Sequence, residues 1–133
     1  FYIVDVQRGQ WASDERDNVM RQTAAIDAQR TNGECVTWCE QEPGSSGLDA
    51  ARAFVKLLAG YPVNYEPSTG SKETRAMPFA SQWNAGNVKL LRGAWNASYL
   101  DELTSFPFGT NDDQVDGSSG AFGKLANAPW LLW

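Results

Sequence analysis

The chain has 133 residues, 42% of them hydrophobic, among them six Trp, six Phe and four Tyr. That is one domain's worth of sequence with apolar mass for a single core, which excludes both a disordered chain and a multidomain one, and no uncharged apolar stretch approaches the ~20 residues that cross a bilayer. Eleven Lys and Arg against sixteen Asp and Glu leave a net charge of -5, so bulk charge does not attract nucleic acid and any such contact has to be local.

Phe1-Tyr2-Ile3-Val4-Asp5-Val6 has the β-branched and aromatic content of a strand. It opens with no Met and no turn before it, and reads as a chain cut inside a larger protein. Ser13 is placed to cap a helix with Asp14, Glu15 and Asp17 in its first turn, where the helix dipole favours anions. Val19, Met20, Thr23, Ala24 and Ile26 recur at helical spacing, and Asn32-Gly33 supplies a left-handed stop. A strand from Cys35 to Glu40 runs into the turn cluster Pro43-Gly44-Ser45-Ser46-Gly47, and a second helix spans about Leu48 to Ala59. Pro62 to Glu66 is a short strand, and Glu73 to Ala85 a helix with Pro78 as an irregularity. Val88 to Leu91 forms another short strand. Asn96 or Ser98 caps a helix carrying Tyr99, Leu100 and Leu103, Phe106-Pro107-Phe108-Gly109 breaks it, and the last helix runs from about Asp112 to Leu125 with Val115, Ser119, Phe122 and Leu125 inward.

Strands alternating with helices predict an α/β domain with at least partly parallel pairing, because parallel neighbours need a long crossover. Sites in such sheets form where strand ends meet loops and helix starts. Glu40 stands at such a strand end, and two-residue alternation puts Glu42 on its side, just before a Gly-Ser loop that permits close backbone approach.

The residue inventory narrows the chemistry. Cys35 and Cys39 are separated by ~13 Å of extended chain and do not bridge each other, and with no His there is no zinc finger and no Ser-His or Cys-His pair. Unpaired thiols and the lack of a visible signal peptide favour a reducing cytoplasm. Carboxylates remain, and they point either to hard divalent cations or to glycoside hydrolysis. Beside Glu40 and Glu42, the second acidic locus is Asn111-Asp112-Asp113-Gln114-Val115-Asp116, with Asp113 and Asp116 on one helix face. Three like charges in five residues are relieved by a divalent cation or by a solvated helix start, where acids are favourable in themselves. Trp11, Trp83 and Trp95 either stack on a sugar or pack in a core. Between Ser68 and Trp95 the chain carries Lys72, Arg75, Lys89 and Arg92 against Glu73 alone, a basic segment that suits phosphate contacts or is merely solvated.

These residues, taken together, resemble a family. The stretches from Phe1 to Trp11, Glu40-Gln41-Glu42-Pro43-Gly44-Ser45-Ser46-Gly47, Lys72-Glu73-Thr74-Arg75-Ala76-Met77-Pro78-Phe79-Ala80 and Asn111-Asp112-Asp113-Gln114-Val115-Asp116-Gly117 are similar to the C-terminal nuclease domain of the large terminase subunit of tailed bacteriophages. Gly86 to Gly93 and Trp95-Asn96 add to the likeness, which covers 1–126 and leaves 127–133 as a C-terminal tail.

The resemblance implies an RNase H-like mixed sheet flanked by helices, with carboxylates holding two Mg2+ or Mn2+ ions for phosphodiester hydrolysis of double-stranded DNA. Carried onto this chain, Glu40 is the strand acid and Asp113, with Asp112 or Asp116, the acid of the last helix, and the two loci should fold side by side. Lys72, Arg75, Lys89 and Arg92 become contacts to the DNA backbone. Implied partners are the terminase ATPase domain, the small terminase subunit and the portal, in the cytoplasm of a bacterial host. The family's first metal-binding Asp lies on a strand upstream of Phe1, Asp5 does not replace it, and a chain lacking that first strand exposes edges that invite a strand-swapped dimer. The competing expectations are a non-catalytic module that binds DNA or a packaging partner, and a glycosidase.

Overall fold

Between Gly9 and Thr69 the chain builds a β-α-β crossover preceded by a long helix. The computed structural model describes residues 1–128, which form two compact units, one of Gly9–Thr69 and the other of Phe1–Arg8 with the chain from Gly70 onward. Of the C-terminal tail expected at 127–133, residues 129–133 lie outside the described residues.

In the Gly9–Thr69 unit, α1 (Ser13–Arg30) begins one residue earlier than a Ser13 cap implies. Ala12 occupies the cap and has no side-chain acceptor; instead Glu15 Oε2 reaches back to accept from the Ala12 N–H at 3.2 Å. Asn32 and Gly33 do take positive φ, 53° and 83°, and end the helix. Of the apolar positions read for this helix, Ala24 is buried while Ile26 stays 47% exposed.

β2 (Thr37–Gln41) and β3 (Val63–Pro67) pair in parallel from Thr37 against Val63 to Gln41 against Pro67, joined by α2 (Ser45–Leu57). That helix starts three residues before the expected Leu48, because Gly44, at φ 96°, turns the chain sharply enough for Ser45 and Ser46 to enter the first turn. A Cβ at Gly47 would overlap the Glu42 carbonyl oxygen, so the helix start rests directly on the strand's exit. Ala51 and Leu58 are buried.

In the other unit, β1 (Tyr2–Ile3) pairs in parallel with β4 (Lys89–Leu90). The bonds run from Lys89 N to Phe1 O at 2.8 Å and from Leu91 N to Ile3 O at 2.9 Å. The ladder is shorter than the six-residue strand expected from Phe1 to Val6. Its partner β4 is itself only two residues long, and Tyr2 and Ile3 are the residues that pair with it.

α3 (Lys72–Asn84), α4 (Asn96–Ser105) and α5 (Asp113–Ala126) complete this unit. Ser71 caps α3 by accepting from Thr74 N at 3.1 Å. Asn96 is the first residue of α4 and pins the loop before it, accepting from Gly93 N at 2.8 Å and donating to Leu91 O at 3.0 Å. α5 packs on α3 and α4. The core is aromatic: Phe122 meets Phe1 at 4.7 Å and Phe79 at 5.9 Å, and Tyr99, fully buried, meets Trp95 at 5.5 Å and Trp83 at 6.5 Å. Val115, Ser119 and Phe122 face inward as their spacing predicts, but Leu125 is 48% exposed because α5 is near its end there.

The α/β class holds. Its strands stand in two parallel pairs, one in each unit, and no pair is antiparallel among the described residues, since helices intervene between the paired strands. Among the described residues no helix is long and apolar enough to cross a membrane.

Two substitutions probe these cores by urea denaturation. Leu58→Ala is expected to cost about 2–5 kcal/mol, the range for emptying a well-packed leucine site. Tyr99→Phe keeps the ring and loses only the 2.7 Å bond between Tyr99 Oη and Ser118 Oγ, so about 1 kcal/mol is expected.

Candidate functional site

The start of α5 gathers three carboxylates into five residues, and two cations from the first turn of α3 answer them. Lys72 Nζ lies 2.7 Å from Asp112 Oδ1 and 2.8 Å from Asp116 Oδ2. Arg75, three residues on along α3, places Nη2 3.3 Å from Asp116 Oδ1 and donates through Nη1 to Gly70 O at 3.0 Å. The spacing on each helix explains the match: Lys72 and Arg75 share a face of α3, as Asp112 and Asp116 share a face of α5.

Lys72 therefore stays protonated to higher pH than a free lysine, held first by its hydrogen bond to Asp112 and then by that to Asp116. Asp116 is only 14% exposed, so its charge depends on these partners more than that of the outer Asp112. Asp113, between them, is exposed and takes no part in the network. It borders a mainly apolar groove of about 420 Å3 together with Tyr2, Val4, Gln114, Gly117 and Leu125. Among the described residues no group of three or more His, Cys, Asp or Glu is placed to hold a metal. The late aspartates alone are thus not a cation cage, and Asp113 is the carboxylate they leave available.

A second acid, unsuspected from the sequence, organises this helix start. Asp112 is the cap residue of α5, yet its side chain bonds no helix N–H, having turned to Lys72. Glu102, on α4, takes over: Oε1 accepts from Gln114 N at 2.6 Å and from Val115 N at 3.3 Å, while Oε2 accepts from Gln114 Nε2 at 2.6 Å. Glu102 and Gln114 are both buried, 6% and 7% exposed. The signal in the sequence was a lone acid inside an otherwise apolar helix face beside Tyr99 and Leu103, but only the tertiary packing reveals what it caps.

Glu40 belongs to the Gly9–Thr69 unit. It lies on β2 one residue before its end and is exposed, as is Glu42 beyond it, in keeping with their common side. Pairing sets Glu40 directly beside Glu66 of β3, a second acid that the sequence reading passed over. Neighbouring residues in register share a sheet face, so these two carboxylates face the same way. Glu66 is found only once the strand register is known, and the length of a crossover does not fix register.

Lys89 is exposed on β4 and Arg92 is exposed just after it. Trp83 and Trp95 pack around Tyr99, which favours their role in the core over sugar stacking.

The Lys72 network has a testable pH signature. A folded pKa above the unfolded value, about 10.4, gives a contribution fully present below that pH and lost as pH rises through the folded value. Because Lys72 is 44% exposed, Lys72→Met should cost about 1 kcal/mol or less at pH 7. In thermal melts, that difference should shrink in high salt and vanish as the pH is taken upward from about 10.4.

The family described as Terminase RNaseH-like domain matches residues 4–125. No curated protein and no solved structure gives a match to the chain. The family match takes in both acidic loci, the Gly-Ser turn between β2 and α2, and the basic first turn of α3. The chain belongs to the terminase RNaseH-like domain family.

Proposed function

We propose that this chain is the nuclease module of a DNA-packaging terminase, an endonuclease that hydrolyses phosphodiester bonds of double-stranded DNA with Mg2+ or Mn2+. Family membership supports the reaction class, and the observation that carries the site assignment is the exposed Asp113, left outside the ion pairs that occupy Asp112 and Asp116. In this reading Asp113 and Glu40 are the ligands that the chain offers to the cations, and carboxylate oxygens are the hard donors that magnesium and manganese prefer. Two such ions, when bound, supply the Lewis acidity that phosphodiester hydrolysis needs, so a chain with no His has no need of one.

The chain's own residues then bind and orient. Hydrolysis joins a water oxygen to phosphorus and breaks a P–O bond, and the proton lost by the water has only carboxylates or solvent to receive it. Asp112 and Asp116 hold Lys72 and Arg75 at the edge of this locus. A DNA phosphate would compete with the aspartates for those two cations, and Lys89 and Arg92 would add backbone contacts without reading sequence. The ATPase domain, the small subunit and the portal are the partners this reading assigns, in the cytoplasm of a bacterial host.

Supercoiled plasmid tests the assignment. Metal-dependent nicking is expected from the chain extended to include the upstream strand that the resemblance gives the family's first metal-binding Asp, and in that form Glu40→Ala and Asp113→Asn should each reduce it by about 100-fold or more, a typical penalty for losing a metal ligand's support. Equal cleavage by the variants would remove those residues from the site. No cleavage at all, with DNA binding retained, would favour a non-catalytic binding module. A second measurement addresses the cations: the double variant Lys72→Ala with Arg75→Ala should weaken DNA binding for every sequence alike and lower the slope of log affinity against log salt by about 1–2. An unchanged slope would remove both from the contact surface.

A further inference from the structure

The N–H groups that begin a helix need acceptors, and a cap side chain normally serves those of the second and third residues. In α5 these are Gln114 and Val115, and the acceptor is Glu102 from another helix. The geometry points to Glu102 as a positioning residue for Asp113. The Gln114 N–H belongs to the rigid peptide plane that follows the Asp113 Cα, so a 2.6 Å bond to Glu102 Oε1 fixes the backbone of Asp113 on one side. On the other side, Asp112 is tied to Lys72 at 2.7 Å. Asp113 is thus held between two clamps while its own carboxylate makes neither.

Glu102 also frees Asp112. A cap carboxylate on Asp112 would be pulled toward Val115 N; with that donor served from α4, Asp112 is available to Lys72. The side-chain bond from Gln114 Nε2 to Glu102 Oε2 at 2.6 Å locks the carboxylate's orientation. It also sets the Gln114 amide so that its Oε1 is buried with no hydrogen-bond partner among the described residues. That leftover acceptor provides a control. In Glu102→Gln the new amide can offer its oxygen to the backbone donors and its nitrogen to Gln114, which turns over to accept it. The bonds to the backbone donors survive without the charge, and the turned Gln114 leaves its Nε2, in place of its Oε1, as the group without a partner among the described residues.

Amide exchange and Mn2+ broadening on the 15N-labelled chain test the assignment, the metal measurement resting on the nuclease reading. Glu102→Ala should speed exchange at Gln114 and Val115 about tenfold or more relative to amides of α3, the loss expected for a missing cap. It should raise the Mn2+ concentration that broadens the Asp113 amide by about tenfold. Glu102→Gln should restore both. If Glu102→Ala does not fold, Glu102→Asp, whose carboxylate is drawn back by one methylene, carries the same comparison. Unchanged exchange at the two amides, equal acceleration throughout α3 and α5, a Glu102→Gln as damaging as the alanine variant, or loosened amides with unchanged Mn2+ broadening at Asp113 would each overturn the proposal. Should the unmodified chain show no broadening at Asp113, the nuclease reading fails, and the exchange pattern with its glutamine rescue still decides for or against Glu102.

Discussion

Asp112, Asp113 and Asp116 crowd like charges into little more than one helical turn, and the carboxyl-terminal unit is arranged around relieving them. A helix start tolerates anions, but the macrodipole stabilises each by only about 0.3–1 kcal/mol, which does not by itself settle three of them beside one another. Lys72 and Arg75 supply the rest by meeting Asp112 and Asp116 across the packed faces of α3 and α5. Because both cations sit in the first turn of α3, they are where a helix dipole least wants positive charge, and the aspartates offset that cost as well. The two helix starts therefore depend on each other. Asp113 is the charge this exchange leaves over.

The Gly9–Thr69 unit solves a different problem, that of holding an acid at a strand end. β2 and β3 are each other's only strand neighbours among the described residues, and α2 links them over a turn that requires glycine at 44 and 47. Glu40 and Glu66 stand side by side as a result of register, with no sequence proximity. Each unit thus brings acids together by backbone geometry: helix periodicity in one, strand pairing in the other.

Much of this was legible in the amino-acid order. Helices and strands alternate where turn residues say they should, Asn32-Gly33 stops α1, and the parallel pairing follows from the helix-sized connections. The acidic run and its distance from Glu40 were visible as well. What escaped were long-range facts. Lys72 and Arg75 looked like a surface for phosphate, and nothing local to them announces that aspartates forty residues away already claim their charge. Glu102 drew no reading from its local sequence, since its burial depends on how α4 lies against α5. Strand lengths were overread at Phe1–Val6, since pairing needs two partners and β4 offers two residues.

The turn between β2 and α2 has an implication for anyone altering this chain. At position 47 the backbone leaves room for a hydrogen atom and for nothing heavier, because the carbonyl of Glu42 fills the space. Even an alanine would force the helix and the strand exit apart, and the displacement would be felt two residues further back, at Glu40. A carboxylate can in this way be moved by a methyl group that never touches it.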